Sequence, residues 1–301
     1  MHKASILVIG SQGQVGGAIS ELMKQKKIDF QSFNRKQLDI SDELSVSKII
    51  SSIKPKIIIN CAAYTAVDNA ENEPEKAKQI NTLGPYYLAK ACEANDACLI
   101  HISTDYVFGN INDSDPRPLL ETDLCKPLGV YGQTKLDGER MVISNCKKSL
   151  VIRTSWVFSA FRANFVKTMI SLAKNNQELK IVDDQWGAPT SALAIANCCL
   201  ILIDKILGNG LNNLQWGIYH FCGSPYTTWK GFAENIFHQA HKLRLIQQVP
   251  NITGIPSLQY RTLATRPLNS RLDCNKILEN FAIQQENWKD SLTKVLMKLN
   301  S

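Results

Sequence analysis

An apolar run, Ala4-Ser-Ile-Leu-Val-Ile9, leads directly into Gly10-Ser-Gln-Gly13-Gln-Val-Gly16, and a helical pattern follows through Leu22 and Met23. No other stretch limits the fold as strongly. A short continuous apolar run ending in glycine reads as a buried parallel strand. A strand, a glycine turn and a helix in succession are the setting in which glycines serve a dinucleotide. They let the backbone approach a pyrophosphate, and the helix N-terminus offers free N–H groups and positive dipole. The spacing is GxxGxxG rather than GxGxxG. Gly10, Ser11, Gln12, Gly13, Gln14 and Val15 are therefore the first candidate cofactor residues.

The same alternation continues. Ile28–Phe33 reads as a second strand, and Glu43–Ser52 as a helix capped by Ser41 or Asp42. Ile57–Ala63 is a third strand that ends in small residues, where a ligand has room. A helix opens at Pro74, is interrupted by Gly84-Pro85 and resumes over Tyr86–Ala94; Asn81 within it reads as a tolerated surface residue. Ala97–Ile102 is the fourth strand and delivers Ser103 and Thr104 to the same edge. A helix over Tyr131–Cys146 and a strand over Ser149–Thr154 follow. This is the pattern of an α/β fold with a doubly wound parallel sheet. Past residue 154 the pattern loosens, and Val249–Asn269, with Pro250, Pro256 and Pro267, shows little regularity. The expected division is a dinucleotide-binding domain over 1–155, rejoined by segments around 181–221, and a smaller substrate-binding lobe over most of 156–301.

Composition supports a packed enzyme-sized core: 301 residues, 44% hydrophobic and 20% charged. No apolar run has the length of a membrane span, and the apolar start is too short for a signal peptide, so the cytoplasm is expected and a membrane is not. Nine cysteines without CxxC or Cys/His ligand spacing read as reduced, mostly buried thiols. The net charge of +7 is spread along the chain, which argues against a nucleic-acid partner and would help attract a phosphorylated substrate.

Three further features carry chemistry. The second strand ends in Asn34-Arg35 where NAD binders place a carboxylate; a cation there suits a 2′-phosphate, so NADPH is favoured, with NADH left open. Tyr131 and Lys135 are four apart, one helical turn. An ammonium beside a phenol is expected to lower its pKa and make it a proton donor and acceptor near neutrality. The Thr104 hydroxyl, at the end of the fourth strand, could polarise a carbonyl. Glycine turn, Arg35, Thr104, Tyr131 and Lys135 would all gather at the carboxyl ends of parallel strands, as hydride transfer to a carbonyl requires.

These motifs resemble the extended short-chain dehydrogenase/reductases. The resemblance runs from Ile6 to about Trp288 and rests on Gly10–Gly16, Asn60-Cys-Ala-Ala-Tyr-Thr-Ala-Val-Asp68, Ser103-Thr-Asp-Tyr-Val-Phe108, Val130-Tyr-Gly-Gln-Thr-Lys135, Arg153-Thr-Ser-Trp-Val157, Asp184–Thr190 and Arg266–Arg271. It implies a Rossmann-type fold and reduction, by NADPH, of the C4 keto group of dTDP-4-dehydro-β-L-rhamnose. It implies Tyr131 as proton donor, Lys135 as its partner and Thr104 as the carbonyl-binding hydroxyl. It also implies cofactor contacts at Asp39, Ile40, Ala62, Ala63, Tyr64 and Thr65, and sugar-nucleotide contacts at Thr104, Asp105 and Trp156. Two other readings stay open: another nucleotide-linked 4-keto sugar, for a reductase or epimerase, and a regulatory nucleotide-binding subunit without catalysis. Some bacterial members bridge a dimer with Mg²⁺ held by glutamates. Here Ser191-Ala-Leu-Ala-Ile-Ala196 has no carboxylate, which argues against a metal-bridged dimer and leaves a metal-free homodimer open.

Overall fold

Six parallel strands form the central sheet: β1 (Ile6–Ile9), β2 (Gln31–Phe33), β3 (Ile57–Asn60), β4 (Cys98–Thr104), β5 (Ser149–Thr154) and β6 (Gly217–His220). They stand in the order β6-β5-β4-β3-β1-β2 in a computed structural model that describes residues 5–109, 117–208 and 214–300. The chain leaves β1 toward one edge and returns to its other side as β3. That reversal opens a crevice at the carboxyl ends of the strands, where ligands bind in open α/β sheets.

The strands are apolar on both sides because both are covered. Leu7, Ile9, Ile58, Leu99 and Val151 face helices Glu43–Ile53 and Gly84–Ala94, which bring Val46, Ile50, Leu88 and Cys92. Val8, Ile59, Ile100 and Ile152 face helices Gln14–Gln25 and Ala192–Gly208, which bring Ile19, Met23, Ile195 and Ile203. Each such side chain contributes about 1.5–3 kcal/mol on burial. A third cluster lies outside the sheet. Helices Phe165–Asn175, Trp229–Lys242 and Trp288–Asn300 pack around Phe232, Ile236, Trp288 and Leu292, flanked by the parallel strand pair Glu178–Val182 and Asn251–Ile255.

Several expectations are corrected. The second strand is only Gln31–Phe33, because Lys27, at φ 56°, ends the preceding helix and the chain reaches β1 late. Gly84-Pro85 does not interrupt its helix. A π turn at Gln79–Leu83 joins Pro74–Lys78 to Gly84–Ala94, and Gly84 N–H reaches back to the Gln79 carbonyl. The wider turn accommodates a proline that an α-helical interior would reject. Asn81, in that turn, is fully buried rather than on the surface. A short helix, Val67–Asn72, follows the third strand, and a strand, Asn251–Ile255, lies inside the proline-rich stretch, paired with Glu178–Val182. The expected start of β1 at Ala4 lies outside the described residues. All nine cysteines are free thiols, and only Cys61 and Cys125 are less than fully buried. Among the described residues, no helix is long and apolar enough to cross a membrane.

Candidate active site

A cleft of about 900 Å³ opens over the carboxyl ends of β1, β3, β4 and β5. Its floor at β1 is the glycine turn. Gly10 has φ +82°, and a Cβ on it would lie 2.6 Å from Ala62 N; a Cβ on Gly16 would lie 2.3 Å from Gly10 O. The helix that follows has Gly13 as its N-cap with no side-chain cap, so its first N–H groups are not claimed by a side chain there. Gln12, Gly13, Gln14 and Val15 line the cleft with Gly10, and Ser11 does not.

The turn is tied to a distant part of the chain. Gln14 Oε1 accepts from Ser159 Oγ at 2.8 Å and Asn164 Nδ2 at 3.0 Å, and Arg162 Nε donates to the Gln12 carbonyl at 2.7 Å. At the β2 end stand Arg35, Asp39 and Ile40. Arg35 Nε pairs with Asp39 Oδ2 at 3.1 Å, and the arginine side chain is 65% exposed. Burial pushes Asp39 up, but bonds from Ser41 and Arg35 outweigh it and hold the carboxyl below its usual range.

Ala62, Ala63, Tyr64 and Thr65 form the wall after β3. Asn81 fixes this wall: its Oδ1 accepts from Tyr64 N at 2.8 Å, and its Nδ2 donates to the Tyr64 carbonyl at 3.0 Å and to Thr134 Oγ1 at 3.2 Å. One side chain thereby joins the β3 loop to the helix that carries Tyr131.

That helix, Val130–Asn145, starts where Val130 N donates to Glu71 Oε1 at 2.8 Å. Two glycines let it pack closely, since a Cβ at Gly132 would lie 2.2 Å from Tyr106 O and one at Gly138 2.0 Å from Asn81 O. Tyr131 and Lys135 are both buried and both line the cleft, as do Thr104 and Asp105 from β4. Lys135 Nζ donates to the Ile102 carbonyl at 2.8 Å and meets His101 Nε2 at 3.4 Å. Burial lowers the Lys135 pKa to about 8, against a rise from Glu139. The Tyr131 phenol moves the opposite way from the expectation. Burial raises it to about 12, offset in part by a hydrogen bond with Thr104. The ammonium points at a backbone carbonyl and an imidazole, so desolvation governs the phenol.

Thr104 Oγ1 also bonds Asp105 Oδ1 at 3.1 Å. Asp105 is 2% exposed, and burial lifts its pKa to about 6 against hydrogen bonds from Ser270 and Thr104. Beneath, Arg153 and Glu139, 2% and 1% exposed, pair at 2.7 Å, and Ser103 donates to the same carboxylate.

The far wall is aromatic. Trp156, at φ +47°, stacks on Trp229 with centroids 3.7 Å apart, and both line the cleft. A Cβ at Gly187 would lie 2.5 Å from the Trp156 ring, so the indole depends on that glycine. Nothing in the sequence singles out Trp229 or Arg162; Thr154, inside the Arg153–Val157 motif but given no role there, is a β5 residue opposite Thr104 with an unpartnered hydroxyl. Trp186 is 45% exposed beneath Arg271 and does not line the cleft. Among the described residues, no group of three or more His, Cys, Asp or Glu could hold a metal ion.

Residues 4–301 match the model of the RmlD substrate binding domain. The dTDP-4-dehydrorhamnose reductase of Escherichia coli strain K12 is 40% identical over 98% of this chain and 98% of its own. A crystal structure of a dTDP-4-dehydrorhamnose reductase from Clostridium acetobutylicum superposes with a TM-score of 0.89 at 35% identity, over 98% of this chain and 99% of that one. The Bacillus anthracis dTDP-4-dehydrorhamnose reductase in complex with NADP gives 0.86 at 32%, over 97% and 98%.

Proposed function

The chain belongs to the RmlD substrate binding domain family, and from that premise we propose that it reduces the C4 keto group of dTDP-4-dehydro-β-L-rhamnose to give dTDP-β-L-rhamnose. This is an NADPH-dependent oxidoreductase reaction, the last step in making dTDP-L-rhamnose. The observation that carries the reading is the single cleft that unites an uncapped glycine turn with Thr104, Tyr131 and Lys135. The reductases of E. coli and C. acetobutylicum, alike to this chain over nearly their full length, support the substrate.

The cleft fits the cofactor on its own terms. The backbone at Gly10 and Gly16 is folded too tightly to admit a Cβ, and the helix N-terminus beside it carries no competing side-chain cap. Gly10 to Val15, with Ala62 to Thr65, would hold the dinucleotide; Asp39 and Ile40 would border its adenosine end, and Arg35 its 2′-phosphate. When bound, NADPH supplies the hydride to the sugar carbonyl.

The chain's own residues supply the rest. A phenol with a pKa of about 12 is protonated at neutral pH, which makes Tyr131 a proton donor to the carbonyl oxygen. Thr104 orients that phenol and offers a second hydrogen bond to the same oxygen. Lys135, one turn along and held by the Ile102 carbonyl, would hydrogen-bond the cofactor's ribose from the same cleft. Asp105 and Trp156 would contact the sugar. Residues 1–155, with β6 and helix Ala192–Gly208, make up the cofactor-binding part in this reading, and the remainder of 156–301 makes up the substrate lobe. A cytoplasmic location and a metal-free homodimer complete the proposal; the nine free thiols support the former, and light scattering tests the latter.

The test is oxidation of NADPH followed by absorbance with dTDP-4-dehydrorhamnose, and identification of the product. Formation of dTDP-rhamnose supports the reading. Silence with this and a panel of other 4-keto sugar nucleotides, despite cofactor binding, would replace it with a binding role.

A further inference from the structure

His101 lies in mid-β4, fully buried, outside the residues assigned above. Its hydrogen bonds are determined by a chain of constraints. Ala62 N–H donates to Asn60 at 3.0 Å, so the receiving atom must be Oδ1, and the Asn60 amide orientation follows. Nδ2 of that amide then donates to His101 Nδ1 at 3.0 Å. Nδ1 is therefore an acceptor, and a neutral ring must carry its proton on Nε2. Nε2 is the atom that meets Lys135 Nζ at 3.4 Å.

An N–H aimed at a lysine nitrogen discriminates between its two forms. It donates to the lone pair of the amine, and it opposes the ammonium, which offers only donors. We propose that His101 is a positioning residue for Lys135: its Nε2–H, oriented by Asn60, favours the amine and holds the side chain in place with the Ile102 carbonyl. The inference rests on the assignment of Lys135 to the reductase chemistry. The other ionisable groups facing Lys135 are Glu139 on its own helix, which favours the ammonium, and Cys61 after β3, whose thiol burial keeps protonated. Burial also keeps His101 from becoming an imidazolium, so it stays a neutral donor. Lys135 thus stands between a carboxylate that favours its cation and an imidazole N–H that favours its amine.

Nitrogen-15 NMR of histidine-labelled full-length protein at neutral pH reads the tautomer. A neutral ring protonated on Nε2 is expected; a proton on Nδ1, or an imidazolium, would overturn the proposal. Carbon-13 NMR of the lysine Cε atoms, with Lys135→Arg identifying the signal, reads the second half. In His101→Leu, which removes that N–H, the Lys135 midpoint should rise by about one pH unit, the size of one net hydrogen bond, and the pH profile of kcat/KM should move with it. An unchanged midpoint refutes the role. Where that variant does not fold, Asn60→Asp serves: its carboxylate should draw the proton to Nδ1 and raise the same midpoint, and a proton that stays on Nε2 counts against the argument. Both NMR readouts need no turnover, so they stand apart from the reductase reading, which fails instead on absent NADPH oxidation.

Discussion

Replacing Glu139 by Gln tests the ionic layer under the cleft. The Glu139 carboxylate accepts three bonds from Arg153, at 3.0, 3.1 and 2.7 Å, and one from Ser103. Neither partner of the pair is more than 2% exposed. Glutamine keeps the volume but removes the charge and turns a donor toward the guanidinium. Arg153 would then be a buried cation without a counter-charge, and breaking such a pair from one side costs about 3–5 kcal/mol. Against a total stability of about 5–15 kcal/mol, that is a large fraction. The melting temperature should fall by roughly 5–8 °C. Urea titration of the single variants and of Glu139→Leu/Arg153→Met gives the coupling, and the double variant should recover most of the loss. Because Ser103 precedes Thr104, turnover should fall beyond what stability explains. A single-variant cost below about 1 kcal/mol would refute the claim that this pair is effectively desolvated.

Tyr131→Phe should keep NADPH affinity and lose about 10²–10⁴-fold in kcat/KM, checked by fluorescence titration beside the absorbance assay. Arg35→Ala should weaken NADPH by about tenfold and leave NADH nearly unchanged, the difference shrinking in high salt. Gly16→Ala sets a methyl 2.3 Å from Gly10 O, so the turn must open, and NADPH binding by calorimetry should drop at least about tenfold while the sheet still folds. Asp105→Asn should stabilise the protein above pH 6. The buried carboxyl is raised from 3.8 to about 6, so the native state binds the proton more tightly than the unfolded one, and stability is lost as pH rises through that window, by about 3 kcal/mol. Melts at pH 4 and pH 8 should show the gain only at pH 8, and a gain at both would point to another cause.

The features legible in the sequence were those set by local pattern. Local pattern announced all six sheet strands, the last as Tyr219-His-Phe221 where β6 spans Gly217–His220, and the glycine spacing placed the turn at the end of β1. Features set by long-range contacts were not legible. Asn81 looks like any polar residue in a helix; its burial follows from a π turn that no periodicity signals and from partners 17 and 53 residues away. The Tyr131 pKa moves against the spacing rule because the rule assumes that Lys135 points at the phenol, and a backbone carbonyl draws it elsewhere. Trp229 joins the cleft wall through a stack on an indole 73 positions earlier in the chain, whose ring has room because Gly187 carries no side chain.

The Gln14 amide has a thermodynamic consequence. It belongs to the glycine turn, yet its bonds run to Val157, Ser159 and Asn164, which lead into the lobe that carries the third apolar cluster. Whatever settles on the turn thus acts on the placement of the lobe, and whatever the lobe grips acts on the turn. Linkage makes that exchange symmetric: the factor by which one ligand strengthens the other is the same in both directions. Ligands on the two halves of the cleft would then strengthen each other by one shared factor, with this amide between them.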